Sequence, residues 1–374
     1  MDFTLNIEQQ ALADNVDRWH QRDFSFEKRQ AFLSTSQGLD PARWATFAEL
    51  GWLGAGLSED QGGFGGSAIE NMVIMERLGP ALVTEPIVGA AIHALQILAA
   101  LPFSALRDDL VRKTVYGDLI PAVAHSERAS TISDDLVETQ LDHGLIYGNK
   151  TMALGAPHAD VFIVSAVSEG RLGLYLVDRK ATNLSLASYR LLDNSHAADV
   201  CLDGVEPRTA LATGVHAAAA LEEGYSQALT AICAEAVGIM NATITLTGDY
   251  LKVRQQFGQT LNQFQALQHR MADMLVEAEL SRSIVFQGVA AAGYPLDRRR
   301  HAVSAMKSIV SSAASFVGQN AVQLHGGIGM TEEYPVGHYF RRLFVIAGQF
   351  GSEDVHIERM SANAQKFWPD NRAG

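Results

Sequence analysis

Three long segments with apolar residues at helical spacing dominate the chain after residue 213. The first stripe comprises Ile232, Ala236, Ile239, Met240, Thr243, Leu246 and Tyr250, the second Phe264, Leu267, Met271, Met274, Leu275 and Ala278, and the third Val303, Met306, Val310, Ala313 and Val317. Long apolar stripes joined by short connections are typical of a helical bundle, because each stripe must be buried against another helix. We therefore predict a C-terminal four-helix bundle over residues 213–374.

The middle of the chain has a different texture. Runs such as VFIVSAV and LGLYLVD are short and are bounded by Gly, Asp, Asn and Ser. Such runs are typical of strands joined by tight turns. They predict a middle antiparallel, β-barrel-like domain over residues 119–212.

The beginning of the chain contains two patterns that are typical of helix N-termini. Asn6 with Gln9, and Ser67 with Glu70, have the spacing of a capping box. We predict an N-terminal helical domain over residues 1–118. The order α, β, α gives the α+β fold class, and the lack of strand–helix–strand alternation argues against a Rossmann fold.

Charge and cysteine content exclude several functions. The formal net charge is -13, which disfavours a nucleic-acid or membrane partner, since both favour clustered Lys and Arg. The basic cluster at 297–301 is interpreted as a solvated loop between helices. Cys201 and Cys233 show no CxxC spacing, no histidine pair with a third ligand predicts a metal site, and reduced thiols are expected.

The chain start carries no basic region followed by an apolar stretch, so no secretion signal is predicted and a cytoplasmic location is expected. No uncharged run reaches the about 20 residues that span a bilayer. The nearest is VGAAIHALQILAALPF at 88–103. Ser304 and Lys307 fit an SxxK pattern, but no companion motif accompanies it, and we interpret it as chance.

Two glycine-containing turns contain residues that a turn alone does not require. In RQQFGQ, Gly258 suits a helix end and Arg254 suits the negative end of a helix dipole, yet neither explains the aromatic Phe257. In QLHGGIGM, the glycines at 326 and 327 exceed what a helix cap needs. Extra glycines let a ligand approach the backbone and leave amide groups free for an anion.

Together, on this α–β–α order, these segments resemble the acyl-CoA dehydrogenase family. The matching segments are EDQGGFGG (59–66), SER (126–128), GNKTM (148–152), RQQFGQTLNQFQALQHRMADM (254–274) and QLHGGIGMTEEYPVGHYFRR (323–342). The resemblance spans essentially the whole chain. It implies FAD bound at a subunit interface, an acyl-CoA substrate that is desaturated, and an electron-transfer flavoprotein or similar acceptor.

The resemblance also implies roles for individual residues. Arg254 matches the arginine that meets the FAD pyrophosphate, and Phe257 the aromatic beside the cofactor, both serving a neighbouring subunit. Gln323, Gly326 and Gly327 match the groups that hold the adenosine half. An extended diphosphate needs such parts, because a guanidinium gives bidentate charge-assisted bonds and bare amides come close.

The catalytic base of the family is missing at both of its usual places. The family uses a glutamate after the arginine pair or early in the first bundle helix. Those positions here are Gly351, followed by Ser352 at the family's threonine position, and Ala228. Glu235 lies ~10 Å further along the helix and is a weak candidate base. A salt bridge is the plainer interpretation of that buried-looking glutamate.

The flavin-facing segment of the β domain departs from the family too. Met152 stands in the place of an aromatic residue, and Leu154 in the place of a hydroxyl residue. The family's TEP loop becomes Ser126-Glu127-Arg128, where Ser126 still offers a hydroxyl to a flavin. These changes argue against ordinary catalysis at this chain's own β face.

The departures resemble the base-lacking subunit of hetero-oligomeric bacterial acyl-CoA dehydrogenases that act on steroid side chains or dicarboxylic acyl-CoAs. We predict FAD-dependent α,β-dehydrogenation, in lipid or steroid degradation, with a related subunit supplying the glutamate. The alternatives are a self-sufficient homo-oligomer with Glu235 as base, a non-catalytic structural subunit of the same fold, and a flavin-dependent monooxygenase or oxidase.

Overall fold

The computed structural model of the protein describes residues 4–35, 38–128 and 137–367. Two compact units are present. The helical unit comprises Met1–Gln30, Met72–Val83 and Leu229–Gly374, and the sheet unit comprises Ala31–Asn71 and Thr84–Ala228. Contacts rather than chain order define these units, so the three consecutive domains 1–118, 119–212 and 213–374 stay a prediction.

The sheet unit is built on an eight-stranded sheet. Its strands are β1 (Pro121–Ala124), β2 (Gln140–Asp142), β3 (Leu145–Leu154), β4 (Val161–Ser168), β5 (Arg171–Asp178), β6 (Leu184–Arg190), β7 (His196–Val205) and β8 (Thr209–Thr213). Their order is β6-β7-β3-β2-β4-β5-β8, with β1 also paired to β4. The predicted purely antiparallel domain is corrected to a mixed sheet, because β4 pairs in parallel with β1 and with β2. Parallel pairing needs a long connection, and the chain between β1 and β4 provides one.

Both faces of β4 are covered. Val161 and Ile163 belong to one apolar cluster, and Phe162 and Val164 belong to another. The first cluster also contains residues of helices α5 (Leu95–Ala100) and α6 (Ala105–Val115). Because alternate residues of a strand point to opposite faces, a strand covered on both sides reads as a continuous apolar run, as VFIVSAV does.

The helical unit contains most of the long helices. The other α-helices in the described part of the chain, from both units, are α1 (Ile7–Asp23), α2 (Phe26–Thr35), α3 (Pro41–Glu49), α4 (Ala68–Leu78), α7 (Val215–Val253), α8 (Gln265–Ala290), α9 (Leu296–His325), α10 (Pro335–Gly348) and α11 (Glu353–Phe367). In the described part of the chain, five helices follow residue 213 rather than the predicted four, since two shorter helices extend the bundle after α9. The capping boxes predicted at Asn6 and Ser67 are confirmed by their hydrogen bonds.

The apolar stripes are buried to different extents. The stripe on α9 is buried, as predicted, and so is the first part of the stripe on α7. The stripe on α8 is only partly buried, and Leu275 is 48% exposed. The basic cluster at 297–301 is not a loop, because α9 already begins at Leu296 after the proline at 295.

The long helix α7 is apolar enough to cross a membrane by length and composition. It therefore replaces 88–103 as the segment that comes nearest to a membrane span. However, 72% of its most apolar window is buried inside the protein. That burial is the property of a core helix.

Candidate functional site

A two-residue hairpin follows α7 and presents an aromatic ring. Its strands β9 (Gln255–Gln256) and β10 (Gln259–Thr260) are antiparallel. The turn residues Phe257 and Gly258 have φ of 55° and 83°, the geometry that suits such a tight hairpin. Phe257 is 90% exposed, and its ring meets that of Phe264 edge to face with centroids 6.1 Å apart.

The fold gives no reason to expose so large an apolar ring. Apolar side chains held outward by a fixed turn mark contact with a ligand or another chain. Beside it, the Arg254 guanidinium is exposed, and no carboxylate lies within 4 Å of it in the part of the chain that the structure describes. A cation without an internal partner is available to an anion.

The glycine bend ends α9 as predicted. Gly326 is the C-cap with φ of 65°, a conformation that favours glycine. Gly327 lies outside that region, and no atom lies within 4 Å of where its side chain would begin. Nothing inside the described chain requires glycine at 327, whereas a ligand approaching the backbone would. Gln323 is exposed on the last turn, and Met330 is 76% exposed just beyond the bend.

An aromatic stack holds the hairpin beside the glycine bend. The rings of Tyr250 and His325 stack with centroids 4.5 Å apart, and the Tyr250 hydroxyl donates to the His325 carbonyl at 3.2 Å. Tyr334 adds a third ring, 5.2 Å from His325. Because the Arg254 amide donates to the Tyr250 carbonyl at 2.9 Å, the hairpin starts one turn from this stack. The five predicted nucleotide-holding residues are therefore carried by two neighbouring segments of the helical unit.

One buried polar atom in this stack has no partner among the described residues. The His325 ring donates from Nδ1 to the Ala321 carbonyl at 2.9 Å, while Nε2 is buried without a hydrogen bond. Burial lowers the pKa of His325, which favours the neutral ring. The Gly326 amide is bonded within the chain to the carbonyls of Gln323 and Val322. The exposed arginine and the open backbone at Gly327, beside aromatic rings, fit a nucleotide with a diphosphate.

The first base position lies in the bend between α10 and α11. Phe350 and Gly351 have φ of 57° and 105°. A side chain begun at Gly351 would lie 3.0 Å from Nε2 of His356 and 3.2 Å from Cγ1 of Val355. The space that glycine frees is thus already occupied by this chain. Ser352 is exposed, and its hydroxyl lies 3.5 Å from the Val355 amide, so a flavin contact for Ser352 stays a prediction.

We expect that replacing Gly351 with glutamate does not give this chain a working base. The crowding by His356 and the left-handed backbone lower the free energy of unfolding by about 1–3 kcal/mol. Dye reduction with acyl-CoA by the purified Gly351→Glu chain is the measurement, with Gly351→Ala as the matched steric control. Turnover by the glutamate variant alone would contradict the expectation.

The second base position offers no proton acceptor either. Ala228 is fully buried on α7. Glu235, seven residues along, forms a bidentate ion pair with Arg342 at 2.6 and 2.5 Å, and both side chains are largely buried. With both oxygens occupied by a guanidinium, this carboxylate is poorly placed to take a substrate proton. The neighbouring Arg341 pairs with Glu332 in the same way at 2.6 and 2.9 Å.

Burial makes His356 an acid-sensitive point in this bend. Burial, with a smaller effect of Lys307, lowers the pKa of His356 to about 4, from 6.5 for the free group. Between those values the unfolded chain binds the proton and the folded chain does not. The free energy of unfolding therefore decreases by up to about 3 kcal/mol as the pH is lowered from about 6.5 to 4. His356→Gln should flatten that dependence in denaturant titrations at pH 7 and pH 4.5. Equal losses in both proteins would contradict this expectation.

The segment of the sheet unit that is predicted to face the flavin forms its backbone hydrogen bonds within the sheet unit. Met152 lies at a bulge of β3 with φ of 54°. Its amide lies 3.2 Å from both the Tyr189 hydroxyl and an Asp199 carboxylate oxygen. The carbonyl of Ser126 accepts from the Thr151 amide at 2.8 Å, and the Ser126 side chain is exposed. The bulge therefore uses its own backbone donor internally.

Two buried lysines were missed by the sequence analysis. Lys150 pairs with Glu127 at 2.5 Å inside the sheet unit, and burial lowers its pKa to about 8 despite that pair. Lys307 lies fully buried in the helical unit. A lysine within an apolar helical stripe was the available indication for Lys307, but two of its three hydrogen-bond partners, the carbonyls of Ala347 and Gly351, are distant in sequence.

Two family models match separate parts of the chain. The model of the acyl-CoA dehydrogenase N-terminal domain matches residues 6–101, and that of the C-terminal domain matches residues 219–365. Acyl-CoA dehydrogenase IpdE2 of Mycolicibacterium smegmatis (strain ATCC 700084 / mc(2)155) is 25% identical over 359 residues, covering 96% of this chain and 99% of that protein.

Two solved assemblies share the fold. A variant of the Tcur3481-Tcur3483 steroid ACAD is 28% identical with a TM-score of 0.86, covering 96% of this chain and 97% of that one. A chain of the ChsE4-ChsE5 complex from Mycobacterium tuberculosis is 22% identical with a TM-score of 0.88, and the match covers 98% of this chain and 99% of that one. At 22% identity the likeness establishes the fold alone.

Proposed function

The chain belongs to the acyl-CoA dehydrogenase family, and we propose that it works as one subunit of an FAD-dependent enzyme made of two related chains. Members of this family are flavin oxidoreductases. In the proposed assembly this chain helps to hold the flavin, and the related subunit supplies the glutamate that removes the proton alpha to the thioester carbonyl.

One combination of observations carries the proposal. Neither base position offers a carboxylate, since they hold Gly351 and Ala228. The groups proposed to hold the nucleotide are nevertheless present, with Arg254 and Phe257 exposed and the backbone open at Gly327. A chain that has lost the base but keeps these groups outward is suited to complete a flavin site on a neighbour.

Each group at this edge has a defined task. Arg254 offers two parallel N–H donors to a diphosphate, which a lysine cannot do in that geometry. The backbone at Gly326 and Gly327 has no atom within 4 Å of where a side chain would begin, which allows close approach, and Gln323 offers a side-chain amide for hydrogen bonds to the adenosine half. When bound, FAD supplies the acceptor for the beta hydride of the acyl group. Flavin contacts of Ser126 and Ser352 are part of the proposal.

The alternatives have less support. Glu235 as the base of a self-sufficient homo-oligomer conflicts with its bidentate pair to Arg342. A purely structural subunit gives no reason for glycine at 327, where the backbone is open to a ligand. Exposed apolar side chains on α8, namely Leu275, Val276 and Leu280, favour association with another chain.

We further propose a bulky acyl-CoA as substrate and an electron-transfer flavoprotein or similar acceptor. The likeness to a steroid ACAD at 28% identity supports a polycyclic acyl group. A cytoplasmic location follows from this chemistry, since CoA thioesters and the acceptor are soluble partners.

Coexpression tests the proposal directly. The chain is purified alone and together with a related family member that carries glutamate at either base position. We expect tight FAD binding and dye reduction by an acyl-CoA only for the pair, and loss of turnover with retained flavin when the partner's glutamate becomes glutamine. Steroid and straight-chain acyl-CoAs are compared as substrates. Full activity of the chain alone would overturn the need for a partner.

A further inference from the structure

Lys307 on α9 is buried completely and makes three hydrogen bonds. Its Nζ donates to the Ser311 hydroxyl at 2.8 Å and to the carbonyls of Ala347 and Gly351, each at 3.0 Å. An ammonium group has three donors, so this set satisfies it. No carboxylate lies within 4 Å of Nζ in the described ranges 4–35, 38–128 and 137–367.

The two carbonyls belong to the connection between α10 and α11. Ala347 lies in the last turn of α10, where helix carbonyls lack partners within the helix and a cation is favourable. Gly351 is the first base position. The connection has two consecutive residues with positive φ, Phe350 and Gly351, so its conformation must be imposed by its surroundings.

A second buried side chain holds the same connection. Nε2 of His356 on α11 donates to the Phe350 carbonyl at 3.0 Å. Lys307 and His356 thus engage three carbonyls within five residues, from helices on either side. The other titratable group facing Lys307 is the buried Cys233 thiol, whose pKa is raised to about 12 by burial, so it contributes no charge at neutral pH.

We propose that Lys307 is a positioning residue of the acyl-CoA site, fixing through the Ala347 and Gly351 carbonyls where the Gly351–Ser352 backbone stands. The inference rests on the proposed function, since that function places the acyl group beside the family's base position. Gly351 has no side chain to offer, so its backbone position is what this chain contributes there. Because Lys307 holds the Gly351 carbonyl, the amides of Gly351 and Ser352 next to it are also held in a fixed position.

Lys307→Met tests the proposal in the two-chain assembly, because methionine matches the length and removes charge and donors. We expect the KM for acyl-CoA to rise about tenfold with kcat changed less and FAD occupancy kept. Ser311→Ala is the matched control, since it removes one bond of Lys307 and the long Ser311–Ala347 bond at 3.4 Å but leaves both bonds from Lys307 to the carbonyls. Its KM should stay close to wild type. An unchanged KM in Lys307→Met would overturn the proposal.

Hydrogen exchange on the purified chain separates this proposal from the proposed function, because it needs neither partner nor flavin. Exchange at residues 349–352 should rise about tenfold in Lys307→Met and not in Ser311→Ala. Unaltered exchange would show that the bend is not held by Lys307. If Lys307→Met does not fold, Lys307→Gln replaces it, because the shorter neutral amide cannot bond both carbonyls; a wild-type KM with unaltered exchange in that variant overturns the proposal equally.

Discussion

Replacing Arg254 with alanine should lower the FAD affinity of the two-chain assembly by about a hundredfold. A hydrogen bond to a charged group contributes about 1.5–3 kcal/mol, and loss of a bidentate pair costs about 3 kcal/mol, which is about a factor of 100 in Kd. The effect is large because the guanidinium has no carboxylate partner within the described part of the chain. The N–H donors of the guanidinium are therefore available to a ligand.

Stability should not account for this loss. Arg254 is exposed at the C-terminal end of α7, and loss of a cation there lowers the free energy of unfolding by about 0.3–1 kcal/mol, well below the expected loss in FAD binding. Arg171→Ala, at an exposed position at the start of β5, is the matched control and should keep wild-type FAD affinity. Flavin titration by fluorescence gives the measurement. Wild-type affinity in Arg254→Ala would remove the shared-flavin hypothesis.

The second large effect concerns Glu235 and Arg342. Glu235→Leu or Arg342→Met should each lower the free energy of unfolding by about 3–5 kcal/mol, because each leaves one buried partner without its counter-charge. Glu235→Leu combined with Arg342→Met should recover most of that loss, since an apolar pair carries no desolvation cost. Denaturant unfolding of the four proteins completes the cycle.

The same cycle distinguishes an ion pair from a catalytic base. If the pair is structural, the stable double variant keeps the turnover of the two-chain assembly. A folded double variant without turnover would instead assign Glu235 to the chemistry. The Glu332–Arg341 pair provides the control, since Glu332 is 66% exposed and the same substitutions there should cost about 1 kcal/mol or less.

Local chemistry in the sequence predicted the parts of this protein that depend on neighbouring residues. The Asn6 capping box, the stripe of α9 and the helix end at Gly326 follow from contacts three or four residues apart, which a single sequence displays. The predicted cofactor residues followed from a family resemblance carried by two short motifs. The mixed sheet did not follow, because parallel pairing of β1 with β4 is decided by packing between distant strands.

The sequence by itself determined the fold class, the family, several helix ends and the lack of a glutamate at both base positions. Only the tertiary structure decided what the remaining charged residues do. Glu235 meets Arg342 across 107 positions of the chain, and Lys307 meets the Gly351 carbonyl across 44. Neither partner lies on the same helix, so helical spacing carries no information about the pairing. Buried charges take whichever partners the packing of helices brings within hydrogen-bond distance, and that packing is a property of the whole folded chain.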